Sequence, residues 1–508
     1  MLTEDDRPRP PKRFKCAQMD FSLEANKNNN SIQTQQLEDE DRISTLPDDI
    51  LLSILGRVSS RMAARTCLLS TRWRDLPWLL PEVTIDVQDF LSVPCLNPLK
   101  ENDMEEAMVS LTKATRSFLG DHQRKSTISS LHLTLCLIKT FLSEVGPLVS
   151  DVVDNGLLKA LDLAVLDETA PLCRSDEEMR QRAQEIDTFF HTYPSVLQCL
   201  TKLCLQNAGF NNLDMHHILF DCCKQLKHLS LYCCDTGTYS VFKINAPNSK
   251  LCFLEVALCR FQRLELVCLP KLEKFICTEW VSKHVPVTFG FVPSLRELEL
   301  SCAAPYDQPP FKLSDILHGT TSIHTLTMNF EGETLWLQPE MGELRAAFSK
   351  LKKLFVCGIF IDLDISWTTA FLVAAPCIEK LCIQVWEHAC DEDEFKRRTS
   401  RDRRTPQWDM HMRFDGSENR LLKELEFRGF RALEQQFAFL RCTLERSPNL
   451  QKVILRGDEQ CEACDAVDEP LHLSKFPKKD EEEMVVQRIR DGKFSPEIIF
   501  EEQWPLSV

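Results

Sequence analysis

A short phrase of apolar residues returns along most of the chain and gives the sequence its main pattern. In each copy, two other residues separate the first apolar residue from the second, and one separates the second from the third. Residues two apart lie on the same side of a strand, so each phrase predicts a strand with one buried face. Copies begin at Leu200, Leu226, Leu251, Leu272, Leu295, Ile323, Leu351, Ile378, Leu422 and Leu450, and two earlier copies begin at Ile128 and Leu158.

The spacing of the phrases predicts a stack of parallel strands. From Leu200 to Ile378, successive copies begin 21 to 28 residues apart, within or near the range of about 20 to 29 residues of leucine-rich repeats. Helix formers in Met215 to Gln225, Leu313 to Gly319 and Gly342 to Ser349 predict helical return segments. We therefore expect an α/β fold, with a leucine-rich-repeat solenoid over residues 87–457.

Two cysteines occupy a position that agrees with this prediction. Cys234 and Cys259 lie three residues beyond the last apolar residue of their phrases. Leucine-rich repeats commonly place Asn or Cys there, where the side chain binds loop backbone. We expect both thiols to have this structural role.

A helical pattern precedes the repeats, between residues 41 and 86. Ile50 and Ile54 lie four apart, and Leu51 and Leu55 form the adjacent row, so the pattern predicts a helix from about Leu46 with a broad apolar face.

Two more short helices are expected in the same region. One spans Met62 to Leu69, and the other is capped by Ser70 or Thr71 and carries Trp73 and Leu76. Three short helices in about 40 residues bury little core by themselves. The sequence therefore predicts a docking module.

The residues of this region resemble the F-box. The resemblance rests on Leu46-Pro47, the apolar pairs that follow it, and the ending Leu69-Ser70-x-Arg72-Trp73-Arg74, which is similar to that of plant F-box proteins with leucine-rich repeats. It implies an F-box over residues 41–86 that binds a Skp-type adaptor, and through it the cullin scaffold of an SCF ubiquitin ligase. The adaptor-binding residues that the resemblance implies are Leu46, Pro47, Ile50, Leu51, Ile54, Leu55, Leu69 and Trp73.

Two further segments bear on the resemblance. Val58-Ser59 stands where many F-box proteins have Leu-Pro, so a different turn is expected after the first helix. Residues 420–457 resemble the C-terminal FBD region of plant F-box proteins.

Three polar segments are expected to lie outside the packed core. Residues 1–40 predict a disordered tail, residues 387–419 a charged loop insertion, and residues 458–508 an acidic cap or tail.

Composition narrows the classes of partner. The formal net charge of -16 disfavours nucleic acid and anionic membranes, because both bind cationic surfaces. Neither a secretory signal nor a span of about 20 apolar residues is evident, so we expect a cytoplasmic or nuclear protein. The 23 cysteines are scattered through apolar runs and are expected to be reduced.

Candidate catalytic or metal-binding groups are few. Cys461 and Cys464 have the spacing of half a zinc site, without a second pair after them. His216 and His217 lie near Cys222 and Cys223 in the sequence, which is compatible with a metal site but more typical of ordinary packing. Phosphate-loop, nucleophile-elbow and HExxH motifs are not found. We expect no enzymatic activity and no cofactor.

The residues between the buried positions of the strands predict a binding face for a protein substrate. Exposed aromatic residues are often interface anchors. The candidates are His228, Tyr232, Phe253, Glu297, Glu299, Phe355, Glu424 and Arg428.

The sequence therefore favours the substrate receptor of an SCF-type ubiquitin ligase. The main alternative is a repeat scaffold whose F-box serves assembly without ubiquitin transfer. A weaker alternative is an enzyme with a cysteine or metal centre.

Overall fold

The computed structural model describes residues 43–91, 101–120, 126–137, 141–167, 174–211, 213–237, 240–304, 308–338, 344–361, 363–386, 418–457, 476–490 and 496–501. The predicted tail, residues 387–417 of the charged insertion, and Cys461 and Cys464 lie outside these ranges. The chain divides into two compact units, Met1–Thr201 and Lys202–Val508.

The first unit begins with two α-helices, α1 (Asp48–Leu55) and α2 (Ser60–Arg65). Pro47 lies just before α1 with a φ of -59°, which its ring fixes and which suits a helix start. The Ser59 hydroxyl caps α2 by accepting a hydrogen bond from the Met62 N–H at 3.4 Å. The Val58-Ser59 segment thus ends one helix and starts the next.

The structure corrects the predicted bounds of all three helices. The first begins at Asp48 instead of Leu46, and the second is Ser60–Arg65 followed by a 3-10 turn at Thr66–Leu68. In place of a third α-helix there is a 3-10 turn at Leu76–Leu79, with Trp73 in the turn before it. Pro77 lies at the start of this 3-10 turn, and its ring disfavours an α-helix that would run through from Trp73.

Three parallel strands follow in the first unit, in the order β1-β2-β3. The burial of alternate side chains in β2 and β3 confirms the phrases that begin at Ile128 and Leu158. The elements are β1 (Glu82–Asp86), a 3-10 turn (Val87–Phe90), α3 (Glu101–Leu119), β2 (Ser130–Cys136), α4 (Phe141–Asp154), β3 (Leu161–Leu166), α5 (Asp176–Thr192) and α6 (Pro194–Cys199).

The second unit contains the main strand stack. Its strands pair in parallel in the order β4-β5-β7-β9-β11-β13-β15-β16-β17-β18-β19. In this stack, every strand from β5 to β18 begins two residues after the start of a predicted phrase, and β4 begins at the phrase start Leu200. The predicted parallel repeat is therefore confirmed. The strands are β4 (Leu200–Gln206), β5 (His228–Tyr232), β7 (Phe253–Ala257), β9 (Lys274–Thr278), β11 (Glu297–Ser301), β13 (Thr325–Asn329), β15 (Lys353–Phe360), β16 (Lys380–Trp386), β17 (Glu424–Arg428), β18 (Lys452–Arg456) and β19 (Glu497–Glu501).

Some return segments are helical, as predicted. They are a π-helical turn (His217–Cys222), α7 (Leu313–Leu317), α8 (Leu344–Ala347), α9 (Ala370–Ala374) and α10 (Glu434–Arg446). A two-stranded pair, β12 (Phe311–Lys312) and β14 (Leu337–Gln338), lies among them.

Other return segments are strands, which the sequence did not predict. β6 (Val241–Asn245), β8 (Arg263–Cys268) and β10 (Val287–Phe291) form a second parallel sheet in the order β10-β8-β6. The repeats here are only 21 to 25 residues long. A strand advances about 3.3 Å per residue and a helix 1.5 Å, so an extended return covers the distance in fewer residues.

Strand pairing continues beyond residue 457, where the predicted solenoid ends. After α11 (Glu482–Ile489), β19 pairs in parallel with β18. The described part of the acidic C-terminal segment therefore contributes a strand to the stack.

We expect Gly358→Ala to destabilise the second unit more than Gly332→Ala. Both glycines have a positive φ, 65° and 72°, so either alanine carries a left-handed penalty of about 1 kcal/mol. A Cβ on Gly358 would also lie 2.3 Å from Asn329 Oδ1 and 2.5 Å from the Glu331 nitrogen, whereas at Gly332 the nearest atom is 3.6 Å away.

The extra steric overlap should lower the free energy of unfolding by about 2 kcal/mol more for Gly358→Ala. Urea denaturation of the two variants measures this difference. Equal losses would show that the tight bulge of β15 at Gly358 is absent.

Candidate functional site: two interaction surfaces

The helices of the first unit enclose a small core. Its buried members are Leu51, Leu55, Ala63, Trp73, Leu76 and Leu80, and Leu46 packs against them half-buried. The Trp73 Nε1–H donates a hydrogen bond to Ser44 Oγ at 2.8 Å. Of the adaptor-binding residues implied by the resemblance, Leu51, Leu55 and Trp73 thus hold the helices together.

The other apolar residues of the same region face outward. Ile50 is 44% exposed, Ile54 41% and Leu69 67%. Exposed apolar side chains concentrated in one short region commonly mark an interaction site. We name the apolar helical surface after its exposed members Pro47, Ile50, Ile54, Met62, Leu68 and Leu69.

Met62 and Leu68 were missed as members of this surface. They are 50% and 88% exposed. In the sequence, Met62 stands at the start of a predicted helix and Leu68 within it. Their exposure could have been predicted, because they are apolar side chains at the two ends of a segment that is too short to bury both.

Arg72 fixes the chain before α1. Its guanidinium donates to the carbonyl oxygens of Ser44 and Leu46 and lies 2.9 Å from Asp48 Oδ1. The Arg-Trp pair of the motif therefore anchors the start of the helix that carries Ile50 and Ile54.

A cavity of about 360 Å³ adjoins the apolar helical surface. Leu68 belongs to both, and the Arg61 guanidinium lies 5.7 Å from the centre of the Phe90 ring. The cavity is lined by Arg61, Ala64, Arg65, Leu68, Phe90, Ala114, Ser117 and Phe118.

A second surface is the polar face of the strand stack in the second unit. The parallel register aligns the outward residues of successive strands in three rows. The predicted substrate residues fall in all three: His228, Phe253, Glu297 and Glu424 in the first, Glu299 and Phe355 in the second, and Tyr232 and Arg428 in the third. We call this surface the repeat-sheet face.

The structure brings some of these residues together and separates others. His228 and Phe253 are register partners, and their ring centres lie 5.7 Å apart. Phe355 lies four strand steps from Phe253, or about 19 Å at about 4.8 Å per step. The predicted aromatic anchors therefore form two groups.

β9 also contributes to the repeat-sheet face, although none of its residues was predicted as a substrate contact. Lys274, Ile276 and Thr278 occupy its outward positions between β7 and β11. Lys274 Nζ lies 3.5 Å from Glu297 Oε2. The same alternation that identified the other strands would have found these residues.

Carboxylates dominate the middle of the repeat-sheet face. Burial raises the pKa of Glu299, and Glu255 and Glu331 raise this pKa further while Lys274 opposes them. Ser230 donates to Glu255 at 2.8 Å, and Ser301 donates to Glu331 at 2.6 Å. Hydroxyl groups thus stabilise the carboxylates on either side of Glu299.

Glu426 is the centre of a charge cluster at the other end of the repeat-sheet face. Its side chain is 3% exposed and lies 2.7 Å from Arg428 Nε, 3.0 Å from Arg456 Nε and 2.9 Å from Lys380 Nζ. Burial acts to raise the pKa of Glu426, but hydrogen bonds from Arg428 and Lys380 outweigh it and keep the pKa below its ordinary value.

Cys234 and Cys259 have the structural role predicted for them. The Cys259 thiol accepts a hydrogen bond from the Cys234 N–H and donates to the Leu231 carbonyl, both at 3.3 Å. The Cys234 thiol donates to the Tyr232 carbonyl at 3.3 Å. Burial raises the pKa of Cys259.

The hypothesis of a metal site at His216 and His217 is not supported. The Cys223 thiol points away and donates to the Ile218 carbonyl at 3.2 Å, and His216 Nε2 accepts from the Asn245 N–H at 3.1 Å. Over the described ranges, no group of three or more His, Cys, Asp or Glu residues could hold a metal ion.

A serine, a histidine and an aspartate form a relay in the first unit. Ser130 Oγ lies 3.3 Å from His132 Nε2, and His132 Nδ1 lies 2.9 Å from Asp162 Oδ2. Acyl transfer also requires donors for a developing oxyanion. The N–H groups of Ser129 and Ser130 both donate to the Pro81 carbonyl, so we assign no acyl transfer to this relay.

The parallel strand stack, with one residue row repeated on each strand, defines a leucine-rich-repeat protein. The chain belongs to the family described as At1g61320/AtMIF1, LRR domain, whose model matches residues 188–484. Among the described residues, no helix is long and apolar enough to cross a membrane.

Several curated relatives are F-box/LRR-repeat proteins of Arabidopsis thaliana. The chain is 26% identical over 235 residues to the F-box/FBD/LRR-repeat protein At3g49030, covering 42% of this chain and 51% of that protein. It is 27% identical over 222 residues to F-box/LRR-repeat protein At5g02910, covering 43% and 39%. A segment of 59 residues is 41% identical to F-box/FBD/LRR-repeat protein At5g53840, covering 12% and 13%. The matches thus span about half the length of these relatives or less.

Proposed function

We propose that this protein is the substrate-recognition subunit of an SCF-type ubiquitin ligase. The observation that carries the proposal is the apolar helical surface, which is supported by a buried core of its own. Relatives of the chain are named F-box/LRR-repeat proteins, which agrees with this proposal. In this proposal, residues 41–86 form the F-box, and the repeats select the protein to be modified.

The apolar helical surface is the proposed docking site for a Skp-type adaptor. Burying one large aliphatic side chain contributes about 1.5 to 3 kcal/mol, so Ile50, Ile54 and Leu69 together supply several kcal/mol. Leu51, Leu55 and Trp73 act indirectly, because they fix the positions of the exposed residues.

The repeat-sheet face is the proposed binding site for the protein substrate. It offers the aromatic pair His228 and Phe253, the half-buried Phe355, and charges of both signs. Aromatic anchors with polar neighbours are typical of specific protein interfaces.

The proposed role of this chain is to provide proximity. Ligase chemistry would take place on other subunits, reached through the adaptor and a cullin scaffold. Holding the substrate near a charged ubiquitin-conjugating enzyme raises its effective concentration. The proposed location is the cytoplasm, the nucleus or both.

We expect the full-length protein to copurify with a Skp-type adaptor and a cullin after co-expression. Its bound partners should carry more ubiquitin when the proteasome is inhibited. Immunoprecipitation with and without the inhibitor, followed by mass spectrometry, measures both effects.

The outcomes separate the two functional hypotheses. Adaptor binding without any ubiquitinated partner would favour a scaffold whose F-box serves assembly alone. A protein that binds no Skp-type adaptor would contradict the proposed function.

A further inference from the structure

A cysteine, a histidine and an aspartate meet on the π-helical turn between β4 and β5. Cys222 Sγ lies 3.4 Å from His217 Nε2, and His217 Nδ1 lies 3.2 Å from Asp221 Oδ2. The i→i+5 geometry of a π-helix brings residues five apart into contact, and such turns occur frequently at functional sites. Here the turn places Cys222 beside His217. Asp221, which lies four residues after His217, contacts the same imidazole ring.

The three groups are arranged so that a proton can leave the thiol. The Asp221 carboxylate accepts a hydrogen bond from His217 Nδ1–H, which leaves Nε2 as the acceptor for the Cys222 thiol. His217 is exposed and Cys222 half-buried, so a small molecule can reach the sulfur atom.

Other charged and polar groups surround this relay. His216 Nδ1 lies 3.9 Å from Asp221 Oδ2, while its Nε2 accepts from the Asn245 N–H of β6. Asp214 Oδ1 accepts from the His217 backbone N–H at 2.9 Å. The Asp214 contact fixes the start of the turn, and the Asn245 contact orients His216, the neighbour of His217.

We propose that Cys222 is a histidine-assisted nucleophile that forms mixed disulfides with low-molecular-weight disulfides. In the reaction, the thiol proton moves to His217 Nε2 and the sulfur attacks one sulfur of the disulfide. A new S–S bond forms, the original S–S bond breaks, and the leaving thiolate takes the proton from His217. The Cys222 thiol is oxidised and the small disulfide is reduced to one thiol.

This chemistry suits the surroundings of Cys222 better than acyl transfer does. Disulfide exchange develops no oxyanion, so no pair of oxyanion donors is required. Burial and the neighbouring Asp221 raise the pKa of the Cys222 thiol, while Lys224 lowers it. Little free thiolate is then present at neutral pH, and proton transfer to His217 becomes the route to the nucleophile.

Cys252 provides a matched comparison within the same unit. It is also half-buried, and burial and Glu273 raise its pKa while Lys227 lowers it. Its thiol donates to the Lys227 carbonyl at 3.3 Å. A carbonyl cannot carry the proton away, so Cys252 has similar surroundings without a base.

The test uses the full-length protein and oxidised glutathione. Aliquots are quenched with an alkylating agent over time, and peptide mass spectrometry gives the rate at each cysteine. At pH 7 we expect Cys222 to react at least tenfold faster than Cys252. His217→Ala should lower the Cys222 rate to that of Cys252 and leave the Cys252 rate unchanged.

The pH profile separates base assistance from a structural role of His217. In His217→Ala the Cys222 rate should rise steadily with pH because it follows thiolate formation alone, whereas in the unsubstituted protein it should already be high at pH 7 and depend less steeply on pH. His216→Ala, which leaves the Cys222–His217 contact in place, should change the rate less than twofold. Equal rates at Cys222 and Cys252, or a Cys222 rate that His217→Ala leaves unchanged, would overturn the proposal.

Discussion

Replacing Ile50 and Ile54 together with aspartate is expected to weaken binding of a Skp-type adaptor at least a hundredfold. Both side chains are exposed and lie one turn apart on α1. The substitution removes apolar contact and places two carboxylates in a surface that the adaptor would desolvate. A hundredfold loss corresponds to about 3 kcal/mol, which two buried aliphatic residues supply. Calorimetric titration with the purified adaptor measures the change.

The charge itself requires a control on the same helix. Ser53 is exposed on α1 next to Ile54, and Ser53→Asp adds a carboxylate without removing an apolar side chain. Ser53→Asp should therefore retain most of the affinity. Loss of binding in this control, or tight binding by the double variant, would contradict the proposed docking site.

Thermal unfolding separates loss of contact from loss of fold. Ile50 and Ile54 lie outside the buried core, so their substitution should change the free energy of unfolding by about 0.5 kcal/mol or less. Trp73→Ala removes a core side chain that also bonds Ser44, and it should cost about 3 kcal/mol or more. Trp73 variants therefore cannot serve as tests of adaptor contact.

This division among the helical residues shows what the sequence could and could not predict. Ile50 and Ile54 form one apolar row and Leu51 and Leu55 the next, and the two rows have the same period and similar hydropathy. Which row is buried depends on where Trp73 packs, and that is set by contacts between segments distant in sequence. The sequence therefore predicted both apolar rows of this helix but not which row faces outward.

The strands were predictable for a local reason. Each strand of the stack has two buried residues in alternation and a third buried residue before them. Each phrase in the sequence therefore predicts its own strand, independently of the other repeats. Among the return strands, β8 carries the same phrase at Phe261, Leu264 and Leu266, so the sequence held a signal for it, whereas β10 lacks the phrase. The conformation of β10 follows from the short repeat length together with the neighbouring strand β8 that it pairs with.

Contacts between strands or across an unusual turn were also beyond the sequence. His217 and Cys222 meet because the turn is π-helical, whereas α-helical periodicity would point them apart. Glu426 meets Lys380 and Arg456 only through the register of β16, β17 and β18. Residue alternation places these side chains on one face, but register decides which of them touch.

Glu426→Ala is expected to lower the free energy of unfolding of the second unit by about 3 kcal/mol, because it leaves buried cations without their shared carboxylate. Arg428 and Arg456 both contact Glu426, and neither side chain is more than 22% exposed. Glu424 on the same strand is the matched control, since its carboxylate is half-exposed and pairs with Lys380 at 2.7 Å. Glu424→Ala should cost less than about 1 kcal/mol. Urea denaturation at pH 7 compares the two variants.

The effect of Glu426 should also depend on pH. Hydrogen bonds from Arg428 and Lys380 hold its folded-state pKa below the ordinary value despite burial, so the ionised carboxylate stabilises the fold above the unfolded-state pKa of about 4.3. As the pH falls through the folded-state pKa, protonation removes this contribution. The stability difference between the unsubstituted protein and Glu426→Ala should therefore shrink in acid. A difference that stays constant from pH 7 to pH 3 would show that Glu426 acts through packing, because only an ion-paired carboxylate loses its stabilising effect on protonation.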